Sequence, residues 1–133
     1  MVLVDTNVLI DVAVEDPAWF DWSAGKLAAI GGREPLAINP IIYAEFSVHF
    51  DTLEQIEDAL ADFRFERLAL PWEAAFLAGK AFKLYRRRGG KRAAPLPDFF
   101  IGAHAAVAGI SLLTRDPRRF RDYFPKLKLI APD

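Results

Sequence analysis

Short apolar runs and helical segments alternate along this chain, and that alternation constrains the fold most. "VLV" at 2–4, "PLAI" at 35–38, "ISLLT" at 110–114 and "LKLI" at 127–130 each have the length of a buried strand. "FERLAL" at 65–70 reads as a fifth strand or a connector. Between them lie "NVLIDVAV", "DPAWFDWSAGKLAAI", "PIIYAEFSVHF", "DTLEQIEDALADF", "PWEAAFLAGKAFKLYRRRGG", "PDFFIGAHAAVAG" and "DPRRFRDYF", all with helical character. Strands separated by helices pair in parallel, which predicts an α/β fold of three layers with a mostly parallel central sheet. Several boundaries carry signals of their own. Asp16 before Pro17 predicts an N-cap and N1 pair, Thr52 and Gln55 have capping-box spacing, and Gly89-Gly90 predicts a helix stop.

The 133 residues predict a single domain, 1–133, of which 53% is apolar, enough for one filled core. With no cysteine, disulfides and thiolate metal sites are excluded. No apolar run reaches membrane-span length, and no basic segment precedes an apolar one at the N-terminus. The expected setting is the cytoplasm, with no membrane partner. The net charge of −1 points to no partner, but its distribution is uneven. From Glu34 to Asp62 there is no Lys or Arg. From Ala74 to Pro97 there is no acid, and that window holds Lys80, Lys83, Arg86, Arg87, Arg88, Lys91 and Arg92. Such asymmetry is compatible with a polyanion-binding face on a neutral protein.

Ligands of parallel α/β sheets bind beyond the carboxyl ends of the strands. Asp5 directly follows the first strand, Asp116 follows the "ISLLT" strand with Thr114 just ahead of it, and Asp98 opens a helix whose N-terminus belongs at the same edge. Glu45 interrupts the apolar helix "IIYAEF". Each has an ordinary explanation beside the functional one. Asp5 and Asp116 are good N-caps, Asp98 suits the helix dipole, and Glu45 suits a solvent-facing position. If all four converge, two carboxylates ~4 Å apart repel by roughly 4 kcal/mol at an effective dielectric near 20. Such a cluster needs protons or a cation. An oxygen-only donor set suits Mg²⁺ or Mn²⁺ and metal-assisted phosphodiester hydrolysis.

These stretches, "VLVDTNVLID", "IIYAEF", "PDFFIGAHAAVAG" and "LLTRDPRRF", resemble in order the four motifs of the PIN domain nucleases. The chain most closely resembles the toxin component of VapBC-type toxin–antitoxin pairs, over essentially its whole length. The resemblance implies that Asp5 and Asp98 bind the metal and that Glu45 and Asp116 complete the acidic pocket. It gives Asn7 and Thr114 the task of orienting those carboxylates. It implies an Mg²⁺- or Mn²⁺-dependent endoribonuclease acting on transfer or ribosomal RNA, inhibiting translation and leaving 5′-phosphate and 3′-hydroxyl ends. It also implies a homodimer and a small cognate antitoxin that blocks the pocket. The alternative reading is a non-catalytic module that binds RNA or protein.

Arg115, Arg118, Arg119 and Arg121 flank Asp116 and are the expected phosphate contacts, since Arg grips phosphate bidentately. The run from Lys80 to Arg92 reads as an RNA contact or as a solvated helix end. His49 lies one helical turn beyond Glu45 and reads as a surface or packing residue; His104 reads as structural. Leu53, Ile56, Leu60 and Phe63 form an apolar stripe that suits either an antitoxin groove or packing on the chain's own core.

Overall fold

The computed structural model describes residues 1–90 and 96–133. The chain runs β1 (Val2–Val4), α1 (Thr6–Ala13), α2 (Phe20–Gly31), β2 (Leu36–Ile38), α3 (Pro40–Ser47), α4 (Leu53–Ala61) and β3 (Glu66–Arg67). It continues with α5 (Trp72–Arg87), α6 (Leu96–Ala108), β4 (Ser111–Leu113), α7 (Arg118–Tyr123) and β5 (Leu129–Ile130). The five strands form one parallel sheet in the order β3-β2-β1-β4-β5. This is the expected α/β architecture, and "FERLAL" supplies the two-residue edge strand β3.

Moving outward from β1, the chain first builds β2 and β3 on one side, then returns to build β4 and β5 on the other. Right-handed crossovers therefore place α1–α4 on one face and α5–α7 on the opposite face. The reversal opens a crevice between the carboxyl ends of β1 and β4, where a doubly wound sheet holds its ligand. The register fixes what meets there: Val4 pairs with Leu113, and the Asp5 amide donates to the Leu113 carbonyl at 2.9 Å. Asp5 and Thr114 thus leave neighbouring strands side by side.

The strands are short and uniformly apolar because both faces are covered. Leu3, Val4, Leu112 and Leu113 are fully buried, together with Val8, Ile42, Phe99 and Ile101 from the surrounding helices. Gly102 lets α6 approach the C-terminal end of α7. A Cβ there would lie 2.6 Å from the Phe124 ring, inside van der Waals contact. The α5 stop works as its sequence implies, with Gly89 at φ +87° just past the C-cap Arg88. The capping box at Thr52 and Gln55 is complete.

Two boundaries differ from expectation. Asp16 caps a turn, accepting from the Ala18 amide at 3.1 Å, and α2 begins only at Phe20 with no side-chain cap. The α6 helix begins at Leu96, one residue before Pro97. The loop expected over 91–96 lies outside the described residues apart from Leu96, as do Lys91 and Arg92 of the basic run. Ile56 and Leu60 of the α4 stripe pack into the chain's own core, whereas Leu53 is exposed. Among the described residues, no helix is long and apolar enough to cross a membrane.

Candidate functional site

Asp5 serves both of the roles its position allows. It is the N-cap of α1, in extended conformation, and its Oδ1 accepts from the Thr6 amide at 2.7 Å. Its Oδ2 accepts from the Thr114 hydroxyl, also at 2.7 Å, so the carboxylate bridges the ends of β1 and β4. Thr114 has one hydroxyl proton, and the short contact assigns it to Asp5. The same oxygen then accepts from the Asn7 side-chain amide at 3.3 Å and the Asp116 backbone amide at 3.1 Å. Thr114 thus bonds Asp5 directly, and Asn7 reaches that carboxylate only through the Thr114 hydroxyl.

Glu45 reaches the same place from α3. The Thr6 hydroxyl donates to its Oε1 at 2.7 Å, tying α3 to the first turn of α1. Thr6 itself is buried, and the pattern of strand, acid and hydroxyl hints at this second tie. Asp98 enters from the first turn of α6, where Arg119 of α7 donates to its Oδ2 at 2.7 Å. Asp116 is exposed, and its side chain does not cap α7, whose N-cap is Pro117 without a side-chain bond. The capping explanation for Asp116 therefore fails.

All four acids line one open cavity of about 380 Å³, together with Asn7, His49 and Arg119. Burial pushes the Asp5 carboxyl up to about 7; the Thr114 and Thr6 hydrogen bonds oppose this, and the charges of Asp98 and Glu45 add to it. Burial also raises Glu45, against the Thr6 hydrogen bond and with help from Asp98. Asp98 is raised by burial too, although Arg119 pulls it back and Asp116 pushes it further. Three carboxyls thus resist ionising in one place. The donor set fits a hard divalent cation, which would relieve that resistance through oxygen ligands. In this arrangement Arg119 supplies the positive charge next to Asp98. Among the described residues, no three acidic or histidine side chains stand close enough together to form a ready-made cage.

Of the arginines expected to grip phosphate, only Arg119 lies on the cavity wall. Arg118 is exposed and away from the lining. Arg115 is engaged elsewhere: its Nε donates to both oxygens of Asp11 at 2.8 and 3.0 Å, and its guanidinium lies 5.6 Å from the Trp19 ring centre. Asp11 is fully buried and also accepts from Ser23 at 2.7 Å. That partnership is invisible in the sequence, except that Asp11 lies one turn after Asn7 inside an apolar helix. His49 rims the cavity and is exposed; α3 ends two residues before it. His104 is buried and structural, sharing a 2.9 Å hydrogen bond with Asn39. Asn39 uses its Oδ1 to cap α3, so its amide group donates and His104 Nδ1 accepts.

The sequence matches the PIN domain family over residues 2–124. The chain belongs to the PIN domain family. This PIN chain has no significant match among curated proteins. Its fold is like that of several solved structures. VapBC2 from Rickettsia felis bound to a DNA fragment from their promoter aligns with TM-score 0.76 and 22% identity, covering 100% of both chains. VapBC-1 from nontypeable Haemophilus influenzae gives TM-score 0.72 and 21% identity over 98% of each chain. A toxin–antitoxin complex from Klebsiella pneumoniae gives 0.69 and 22%, over 100% of this chain and 98% of that one. At these identities the likeness is one of fold.

Proposed function

We propose that this PIN domain is the toxin of a VapBC-type pair. In this reading it is an Mg²⁺- or Mn²⁺-dependent endoribonuclease that cleaves transfer or ribosomal RNA and so inhibits translation. The observation that carries the reading is the convergence of Asp5, Glu45, Asp98 and Asp116 on one cavity at the crevice between β1 and β4. The four carboxylates hold the cation, and Thr114 and Thr6 aim Asp5 and Glu45 at it. Asn7 fixes the Thr114 hydroxyl. Arg119 is placed to exchange its contact with Asp98 for one with the scissile phosphate, Arg118 assists from outside the wall, and Arg115 stays committed to Asp11. The cation, when bound, supplies water activation and charge neutralisation at the displaced oxygen. Hydrolysis leaves 5′-phosphate and 3′-hydroxyl ends. Like folds in toxin–antitoxin structures support a small antitoxin as partner, and the chain acts as a homodimer in the cytoplasm.

The test is incubation of the purified chain with total RNA and MgCl₂ or MnCl₂, with EDTA and Asp98→Asn controls. Cleavage that requires the metal and disappears in both controls is the expected result. Cleavage that persists in the Asp98→Asn protein would place the activity elsewhere. A second reading, a non-catalytic RNA- or protein-binding domain, is favoured by one observation: Arg119 already satisfies Asp98. Absence of both metal binding and cleavage would select it.

A further inference from the structure

The outward face of α5 has a composition that the candidate site does not explain. Ala74, Ala78 and Ala81 face the core, and Tyr85 continues that inner row as part of an aromatic cluster with Phe99 and Tyr123. On the opposite face, steps of three and four residues align Trp72, Phe76, Lys80, Lys83 and Arg87, with Arg86 beside them. Trp72 is 88% exposed and Phe76 68%, which places both among the most exposed large apolar side chains in the protein. Lys80 Nζ lies 5.1 Å from the Phe76 ring centre. Among the described residues, none of the four basic side chains on this face is in an ion pair. Helix-dipole complementarity accounts for arginines in the last turn, but not for a bare Trp and Phe in the first two.

The C-terminal end of this helix adjoins the cavity through its inner side. The Arg119 guanidinium lies 5.8 Å from the Tyr85 ring centre while it bonds Asp98 at 2.7 Å, and Arg88 lies 5.2 Å from Tyr123. The basic end of α5 is thus one aromatic ring away from the cavity wall, and the stripe leads off from there for about 22 Å. We propose that this face binds single-stranded RNA running out of the cavity. Trp72 and Phe76 stack on bases, and Lys80, Lys83, Arg86 and Arg87 hold phosphates. The proposal deepens the ribonuclease reading and rests on it for the class of ligand.

Charge complementarity decides the occupant. Flat, exposed rings at one end of the stripe and cations at the other, in no ion pair among the described residues, offer stacking surfaces to unpaired bases and charge to phosphates. A second copy of the same face, brought up by a twofold axis, would set four cations against four others. A duplex keeps its bases stacked on one another and offers the rings nothing.

The experiment uses the full chain in EDTA, so that binding is read without cleavage. Its probe is a short fluorescein-labelled single-stranded oligoribonucleotide, followed by anisotropy. Trp72→Ala and Phe76→Ala should each weaken binding roughly fivefold or more, with circular dichroism unchanged. Lys80→Gln combined with Lys83→Gln should flatten the salt dependence by about 0.7 in slope for each phosphate no longer neutralised. The same sequence as a duplex should be insensitive to both aromatic changes. Unchanged single-strand affinity in the aromatic variants would overturn the proposal. So would unchanged affinity accompanied by a lower oligomeric state in sedimentation, which would make the face a protein contact. The two readings fail separately. A protein that binds through α5 but cleaves nothing refutes the nuclease, and one that cleaves but ignores α5 refutes this surface.

Discussion

Helix α1 is bracketed by two buried carboxylates that meet opposite fates. Asp5, at its N-terminus, is 5% exposed, and Asp11, near its C-terminal end, is 1% exposed. Asp11 has a guanidinium and a hydroxyl on its oxygens. Asp5 has only neutral donors, with Asp98 and Glu45 close enough to raise its pKa. Burial is nearly equal, so the difference lies in the partner. A buried acid paired with Arg is a strut that ties α1 to α2 and to the loop after β4. A buried acid left among other acids is poised for a cation that comes from outside.

The sharpest break in this comparison is the pH dependence of Asp5. Its folded pKa is raised from 3.8 to about 7, so the folded state holds a proton that the unfolded state has released in between. Stability from this group is full below ~4, falls as pH rises, and is lost above ~7, a penalty of roughly 4 kcal/mol in EDTA. Asp5→Asn should therefore be more stable than the parent at pH 8 and close to it near pH 4, by denaturant titration. Added Mg²⁺ or Mn²⁺ should stabilise the parent at pH 8 and leave the variant unmoved. A parent whose stability rises between pH 4 and 7 relative to Asp5→Asn would reverse the assignment.

Asp11→Ala should act in the opposite direction. It strands Arg115 and Ser23 and should cost about 3 kcal/mol, at the low end for a broken buried pair because Arg115 remains about one-third exposed. RNA cleavage per folded molecule should survive it. If Asp11→Ala is thermally neutral while cleavage disappears, Asp11 belongs with the acidic site rather than with the scaffold.

The smallest effect tests the hydroxyl that orients Asp5. Thr114→Val preserves shape but removes the donor to Asp5, and should cost about 1 kcal/mol, more above pH 7 than below it because that hydrogen bond favours the ionised carboxylate. It should also weaken divalent-cation binding measured by calorimetry, which a purely structural hydroxyl would not.

How much of this could be read from sequence follows from the range of each interaction. The strands were legible because both faces are covered, which makes "VLV" and "ISLLT" continuous apolar runs. The meeting of Asp5, Asp98 and Asp116 was legible because parallel topology sends strand ends and returning helix starts to one edge, whereas Glu45, inside α3, was assigned to the pocket only by the resemblance to the family motifs. The start of α2 was not, because Asp16 looks the same whether it caps a turn or a helix. The diversion of Arg115 to Asp11 was not, because the two are 104 residues apart and nothing in either neighbourhood specifies the pairing. The Arg119 bond to Asp98 was hidden for the same reason: it depends on how α6 packs on α7.

The sheet tapers to β3 and β5, each two residues long. Its rims therefore offer almost no free ladder of amides and carbonyls to an incoming chain. Strand addition, a route by which an open sheet recruits a peptide or grows into a fibril, has little here to build on. Association must run through helical surfaces, where side-chain chemistry and not backbone pairing chooses the partner.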